Sequence, residues 1–272
     1  MSFSKTIGHE KQKALFLQVL KSDRCAHAYV LSGQEHIGKT TFAIELGSEL
    51  GADPMWDLWV ADSVVPGLTI DEARNLQKWL SLSPVGKHKV AVIASADAMT
   101  NDAGNCLLKV LEEPPPSCVI LFTTANFYKL LPTLASRAQR VNFGKASDEE
   151  VKQALREFAL PDQENSRILE FAAGRIGVAR KIAFSKEFAQ FFQDCENQYK
   201  VLESGSVTDR LLASEKAVPL KSAELREFLI FAMRQWTKKT SPAGLAEKLK
   251  TAWRDLEFNL NIKLVMDNLF LP

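Results

Sequence analysis

The sequence predicts an α/β fold, in which helices cover both faces of a parallel β-sheet, followed by two helical domains. In its first part, short and nearly all-apolar segments alternate with amphipathic ones. Strands that are apolar on both sides are typical of parallel sheets with two covered faces. Beyond Phe143 the apolar residues recur at helical spacing, without a strand pattern. We therefore expect an α/β domain over 1–145, a small helical domain over 146–184 and a further helical domain over 185–272.

Each element of the α/β domain follows from its local pattern. Apolar runs predict strands at 27–32, 57–61, 89–94 and 118–124. Apolar residues three or four positions apart predict helices at 11–21, 40–50, 70–82 and 102–113. Thr69 and Glu72 have the spacing of a capping box, which marks the start of the third helix. Three prolines after residue 113 end the fourth helix, because proline cannot continue one.

The remainder of the chain is predicted to be helical. Ser147 and Glu150 form a second capping-box pattern, and a turn is expected at Gly174. Helical spacing of apolar residues predicts helices at 148–158, 162–173, from 177, at 186–203, 221–238 and 242–257, and from Asn259. These segments form the small helical domain and the last domain.

Residues 33–40 read Gly-Gln-Glu-His-Ile-Gly-Lys-Thr, which matches the phosphate-loop pattern GxxxxGK followed by Ser or Thr. An apolar strand precedes the loop and a helix follows it, so that backbone N–H groups and the helix N-terminus can face a phosphate. Lys39 is expected to reach the terminal phosphates, and the Thr40 hydroxyl to bind Mg²⁺. The candidate nucleotide-binding residues here are Gly33, Gln34, Glu35, His36, Ile37, Gly38, Lys39, Thr40 and Thr41. A loop that binds no ligand, or a relic that binds nucleotide poorly, remains an alternative.

The acidic residues needed for ATP hydrolysis are missing at the end of the predicted strand at 89–94. Many ATPases place an Asp and a Glu after such a strand, to hold Mg²⁺ and to activate water. Here Ala94 and Ser95 occupy the two positions. A methyl group cannot bind a metal, and a serine hydroxyl is not a general base at neutral pH. Asp97 lies beyond the strand end and is interpreted as a cap on the next helix.

Composition excludes several classes of protein. Lys and Arg number 34 against 33 Asp and Glu, so the net charge of +1 is too small for a free-standing DNA-coating protein. No run approaches the ~18 apolar residues of a membrane span, and the N-terminus lacks the apolar core of a signal peptide. The 4 cysteines form no CxxC pair. We expect no zinc, no disulfide, no membrane contact and a cytoplasmic location.

Five segments resemble one known family in their order and spacing. They are NCLLKVLEEPP at 105–115, LLPTLASRAQ at 130–139, ADAM at 96–99, GRIGVA at 174–179 and NLNIKL at 259–264. The first two are similar to the NALLKxLEEPP and LLPTIxSRCQ segments of bacterial DNA polymerase III clamp-loader subunits. The set as a whole is similar to their delta-prime branch.

The resemblance implies an AAA+ P-loop module with a helical lid, followed by a helical collar that mediates assembly. It implies a stator subunit of a pentameric loader, with gamma/tau and delta subunits as partners, that helps to place the sliding clamp on primed DNA. It implies that Arg137 is an arginine finger acting on a neighbour's ATP, and that Thr124 or Asn126 occupies the place of a γ-phosphate sensor. ATP with Mg²⁺ is then the expected ligand, and hydrolysis by this chain itself is not expected.

The sequence also departs from the family pattern. Residues 51–56 replace the usual cysteine-rich zinc module, and Gly177 stands where gamma/tau subunits have a sensor arginine, with Arg175 and Arg180 out of register. Lys87, Lys89 and Lys109 are interpreted as solvated lysines, with contact to DNA phosphates as the alternative. A gamma/tau-like ATP-hydrolysing subunit and a stand-alone P-loop ATPase or nucleotide kinase remain the alternative functions.

Overall fold

The computed structural model describes residues 3–22, 24–61, 67–216, 221–238, 243–258 and 260–271. The chain forms two compact units, Met1–Arg180 and Lys181–Pro272. Two expectations touch positions outside the described residues: the start of the predicted 242–257 helix, and Asn259 at the head of the last family-like segment. The predicted division into three domains remains a prediction.

The first unit contains a five-stranded parallel sheet. Its strands are β1 (Ala28–Ser32), β2 (Leu58–Ala61), β3 (Lys89–Ile93), β4 (Cys118–Thr124) and β5 (Gln139–Asn142). They lie in the order β2-β3-β4-β1-β5, with Ser32 opposite Thr124 where β1 and β4 end. The first four strands confirm the sequence prediction. β5 was not predicted, because only Val141 of its four residues is buried and it has no apolar run.

Helices cover both faces of this sheet, as expected. The helices up to the sheet's last strand are α1 (Glu10–Ser22), α2 (Lys39–Glu49), α3 (Ile70–Leu80), α4 (Asn101–Glu112) and the short α5 (Pro132–Ala135). Residues of β4 alternate between two buried clusters. Ile120 and Phe122 pack with α3 and α4, whereas Val119 and Leu121 pack with α1 and α2. The α/β class predicted from the apolar strands is therefore confirmed.

Three helices follow the sheet: α6 (Asp148–Leu155), α7 (Asp162–Ala172) and α8 (Ile176–Phe184). The boundary between the two units falls within α8, after Arg180. The capping boxes predicted at Thr69 and Ser147 are both formed. The cap predicted for α4 is wrong, because Thr100 accepts the N–H of Ala103 in that role and Asp97 does not. The carboxylate of Asp97 turns instead toward the end of β4.

A buried ion pair fixes the loops that precede β2 and β3. Asp57 is fully buried and accepts hydrogen bonds from the N–H groups of Gly86 (2.6 Å) and Val85 (3.0 Å). The ammonium group of Lys89 lies 3.6 Å from the Asp57 carboxylate and 4.1 Å from the centre of the Trp79 ring. Burial alone would raise the pKa of Asp57, but these N–H groups and Lys89 together hold it below its usual value. The interpretation of Lys89 as a solvated lysine is therefore wrong.

The second unit is all-helical. Its helices are α9 (Lys186–Ser204), α10 (Val207–Lys216), α11 (Ser222–Lys238), α12 (Ala243–Glu257) and α13 (Ile262–Phe270). Phe228 of α11 stacks on Phe270 of α13, with ring centres 6.3 Å apart, and both are fully buried. α10 was not predicted as a separate helix, since Val207, Leu211 and Leu212 are exposed and give it no buried apolar stripe of its own. Among the described residues, no helix has the length and apolarity to cross a membrane.

Candidate functional site

The phosphate loop connects β1 to α2 at the carboxyl edge of the sheet. The N–H of Gly33 donates to the carbonyl of Thr124 at 3.1 Å, which joins the loop to the end of β4. An ideal Cβ on Gly33 would lie 2.4 Å from the carbonyl oxygen of Phe143, so that only glycine fits here. The loop therefore starts at a fixed point between β4 and the segment after β5.

The end of the loop leaves the N-terminus of α2 open. Gly38 has the left-handed φ of 101° and precedes Lys39, the first residue of the helix, without a side-chain cap. The first N–H groups of a helix have no intrahelical carbonyl partner, and together with the helix dipole they attract anions. Because no side chain covers them, the arrangement fits a phosphate group.

Lys39 is folded back over the loop. Its side chain is 8% exposed, and its ammonium group donates to the carbonyls of Gly33 at 2.7 Å and Gln34 at 2.5 Å. Burial lowers its pKa to about 8, while the carboxylates of Asp97 and Glu35 act in the opposite direction. A phosphate that binds at α2 would have to draw this ammonium group away from the two carbonyls.

Two further contacts hold the middle of the loop. Nε2 of His9 donates to the carbonyl of Ile37 at 2.8 Å, and the His9 ring packs on Phe143 with centres 4.8 Å apart. The N–H of Gly177, at the start of α8, donates to the carbonyl of His36 at 2.7 Å. The segment before α1 and the start of α8 thus both form hydrogen bonds to the loop. His9 was not a candidate residue, because nothing in its local pattern indicates a partner 28 positions away.

Gly177 lies against the loop but offers no side chain to a ligand. An ideal Cβ there would be 2.9 Å from the His36 carbonyl oxygen, so a larger residue would push loop and lid apart. The neighbouring arginines have other partners. Arg175 is buried and its Nε donates to the carbonyl of Ala172, and Arg180 pairs with Glu157 at 2.5 Å.

The end of β3 carries no acidic pair. Ala94 is buried, and Ser95 has a left-handed φ of 49° with its N–H donating to the Thr123 hydroxyl. Asp97, in the following turn, accepts the N–H groups of Ala125 (3.3 Å) and Asn126 (3.2 Å). Its carboxylate also acts on Lys39, so sequence reasoning missed an acid beside the loop. The sheet order supplies the reason: β3 and β4 are neighbours and their carboxyl ends meet.

The predicted residues form two groups. Residues 33–41 and Thr124 lie together; Thr124 is buried, and its hydroxyl accepts the N–H of Asn126 at 3.0 Å. Arg137 forms the other group with partners from α4 and α5. Its Nη1 donates to the carbonyl of Thr133 at 2.9 Å and its Nη2 to Oε1 of Glu112 at 2.7 Å.

Within the ranges described above, no group of three or more His, Cys, Asp or Glu side chains is arranged to hold a metal ion. The four cysteines form no disulfide with one another, and Cys118 and Cys195 are buried while Cys25 and Cys106 are partly buried.

Comparison with known proteins indicates one family. The profile of the family described as "DNA polymerase III, delta subunit" matches residues 53–147. The delta' subunit of Bacillus subtilis DNA polymerase III is 28% identical over 210 residues, which are 69% of this chain and 63% of that protein. The gamma/tau subunit of Mycoplasma genitalium is 26% identical over 179 residues, which are 58% of this chain and 30% of that protein. The chain thus spans less than a third of this gamma/tau relative.

Solved structures share the fold. A DNA polymerase III gamma subunit-related protein of Thermotoga maritima matches with a TM-score of 0.58 at 18% identity, over 94% of this chain and 97% of that one. A variant of Thermotoga maritima RuvB matches with a TM-score of 0.55 at 15% identity, over 98% and 89%. These likenesses confirm the predicted AAA+ fold. By its family profile and its named relatives, the chain is similar to the clamp-loader subunits of DNA polymerase III.

Proposed function

We propose that the chain is a delta-prime-like stator subunit of the bacterial DNA polymerase III clamp loader. In this role it binds gamma/tau and delta subunits, helps to place the sliding clamp on primed DNA in the cytoplasm, and offers Arg137 to a neighbour's ATP. The observation that carries the proposal is the combination of an intact phosphate loop with Ala94 and Ser95 at the end of β3. Such a site can bind a nucleotide, but it lacks the acids that hydrolyse one.

The loop residues have separate tasks in nucleotide binding. The N–H groups at the start of α2 would face the phosphates, and Lys39 would turn from the carbonyls of Gly33 and Gln34 toward them. The Thr40 hydroxyl would face the magnesium ion. Bound ATP would supply phosphate oxygens and, with Mg²⁺, the charge that these groups are placed to meet. Thr124, joined to Gly33, would keep the end of β4 next to the phosphates.

Arg137 is proposed to act on the ATP of the adjacent subunit. Arg137 follows α5, a short helix that begins at Pro132, and its side chain is 35% exposed. A guanidinium group supplied from a neighbouring subunit neutralises charge that develops on the γ-phosphate, and is worth a factor of about 10³ or more at the site where it acts. In a loader with several ATP sites, the other sites would dilute this effect.

The test is ATP hydrolysis by the reconstituted loader of this chain with gamma/tau and delta, in the presence of clamp and primed DNA. We expect Arg137→Ala to lower the stimulated rate with the complex intact on gel filtration, and Arg137→Lys to restore little, because a point charge cannot replace the planar guanidinium. Arg74→Ala is the matched control, since Arg74 is an exposed arginine that pairs with Asp71 in the same helix. An unchanged rate for Arg137→Ala would reduce this residue to a surface ion-pair partner.

A gamma/tau-like subunit that hydrolyses ATP is the second candidate. The observation that favours it is Asp97, whose carboxylate lies by the loop and acts on Lys39. The purified chain separates the two candidates. The stator proposal expects no ATP turnover above background, whereas a rate on the order of 1 s⁻¹, as in working phosphoryl-transfer enzymes, would favour the second candidate or a stand-alone ATPase.

A further inference from the structure

Glu112 and the backbone of α5 together bind the guanidinium group of Arg137. The Nη2–Oε1 distance is 2.7 Å, while Nη1 donates to the Thr133 carbonyl and lies 3.4 Å from the Ser136 hydroxyl. Both terminal nitrogens of the guanidinium group therefore have oxygen partners within the chain. A phosphate can reach either nitrogen only beside or in place of one of these partners.

The place of Glu112 in its helix makes the carboxylate depend on this arginine. It is the last residue of α4, where the carbonyl ends of the helix make a negative charge unfavourable. Arg137 supplies the compensating positive charge. The two elements are also packed closely, since an ideal Cβ on Gly104 of α4 would lie 2.4 Å from Cδ1 of Leu131, just before α5. The pair thus joins two elements that already lie at a fixed distance.

The two partners of Arg137 differ in how readily they can be exchanged. The Thr133 carbonyl belongs to the backbone of α5 and can only move with it. The Glu112 side chain is 53% exposed and can rotate into solvent. Exposed ion pairs of this kind contribute little to the free energy of folding, and competing charges weaken them further. A γ-phosphate bears more negative charge than a carboxylate, so it would displace Glu112 rather than Thr133.

From this geometry we propose that Glu112 is a latch that neutralises Arg137 until a neighbour's phosphate replaces the carboxylate. The proposal rests on the proposed function, because it gives Glu112 a role only if Arg137 acts on a neighbour. It makes Glu112 a positioning residue that lowers hydrolysis in the unstimulated loader. When clamp and primed DNA bring the subunits together, the phosphate takes the place of Glu112 and the latch has no further effect.

The test compares hydrolysis by the reconstituted loader with and without clamp and primed DNA. We expect Glu112→Gln to raise the unstimulated rate roughly 1.5- to 5-fold, the range that corresponds to an exposed ion pair, and to leave the stimulated rate nearly unchanged. Glu112→Asp keeps the charge and is expected to stay closer to the wild type. Glu113→Gln is the matched control, because it removes the same charge from the next, also exposed, position.

The double variant Glu112→Gln/Arg137→Ala separates a latch from a structural role. It is expected to behave as Arg137→Ala alone, since the latch acts only through that arginine. A lower rate for Glu112→Gln would mean that the carboxylate orients Arg137 for catalysis, and an unchanged rate would make the pair inert; either result overturns the latch. If Arg137→Ala itself leaves the stimulated rate unchanged, the proposed function fails, and any effect of Glu112→Gln would then lie outside Arg137 and also overturn the latch.

Discussion

The N–H of Gly177 donates to the carbonyl oxygen of His36 at 2.7 Å, so that α8 is hydrogen-bonded directly to the phosphate loop. This bond lies at the position where the family resemblance places the sensor arginine of gamma/tau subunits. Gly177 gives the loop a backbone partner instead of giving a ligand a side chain. The contact also explains why glycine is required there, since an ideal Cβ would meet the same carbonyl at 2.9 Å.

Gly177→Ala should therefore destabilise the first unit. The added methyl group forces loop and lid apart, and overpacking of this kind costs about 1–3 kcal/mol. The measurement is the free energy of unfolding by chemical denaturation. Gly244→Ala is the control, because its Cβ meets nothing within 4 Å and alanine is favoured within a helix such as α12. Equal stability of the two variants would show that the Gly177 contact contributes nothing.

Lys39→Ala should abolish nucleotide binding and leave the fold intact. The lysine is the residue of the loop that would meet the terminal phosphates, and its removal leaves the backbone bonds of Gly33 and Gly177 in place. Titration with a fluorescent ATP analogue, with and without Mg²⁺, measures the effect, and Lys21→Ala is the control at an exposed position. Binding that survives Lys39→Ala would place the ligand elsewhere, and a wild type that does not bind would make the loop a relic.

The buried ammonium group of Lys39 predicts a rise in stability at alkaline pH. Its pKa in the folded chain is about 8, against an ordinary value of 10.5, so the unfolded chain holds this proton more tightly. The contribution of Lys39 to the free energy of unfolding should therefore rise as the pH increases from about 8 to 10.5, by about 3 kcal/mol, and this gain is lost as the pH falls from 10.5 to 8. Urea denaturation from pH 7 to 10 measures it. In Lys39→Met the rise should shrink, whereas Lys21→Met should keep it; parallel curves for all three would disprove the assignment.

Breaking the buried pair of Asp57 and Lys89 should be costly. Asp57→Ala leaves the ammonium group of Lys89 buried without its carboxylate, and removal of one buried partner costs about 3–5 kcal/mol. Asp71→Ala, which breaks the exposed pair with Arg74, should cost less than about 1 kcal/mol. Thermal unfolding of the two variants compares them, and similar melting temperatures would contradict the role given to Asp57.

The second unit is expected to carry the assembly contacts, as the collar does in the family that the sequence resembles. A truncation after α9 would expose buried rings, because Phe192 and Tyr199 of α9 pack on Phe231 of α11. A truncation after Phe184, the last residue of α8, avoids exposing these rings. It should leave a folded first unit that no longer co-elutes with gamma/tau and delta on gel filtration. Full assembly of the truncated chain would refute the collar assignment.

The strands and the loop could be predicted because their signals are local. β3 and β4 are continuous apolar runs, and the phosphate loop is a contiguous pattern between a strand and a helix. β5 escaped prediction because a strand at the edge of the sheet buries only Val141. Here the sequence lacks the long apolar run that marks a central strand.

The errors in the candidate site have a different cause. Asp97 was assigned to a helix cap because its partners, Ala125 and Asn126, lie on another strand connection and come close only in the folded sheet. Lys89 was assigned to solvent because no local pattern reveals the buried carboxylate of Asp57. Pairings between distant polar groups depend on tertiary packing, which apolar periodicity does not encode.

The hydrogen bonds that hold the phosphate loop have a consequence for the kinetics of nucleotide binding. The carbonyls of Gly33, Gln34, His36 and Ile37 each have a donor within the chain, from Lys39, Gly177 or His9. Because folding has already fixed this backbone, an arriving phosphate has little chain entropy to remove. The activation barrier for its entry is then the departure of one ammonium group from two carbonyl oxygens. The association rate of a nucleotide should accordingly follow the rotation of the Lys39 side chain rather than the ordering of a flexible segment.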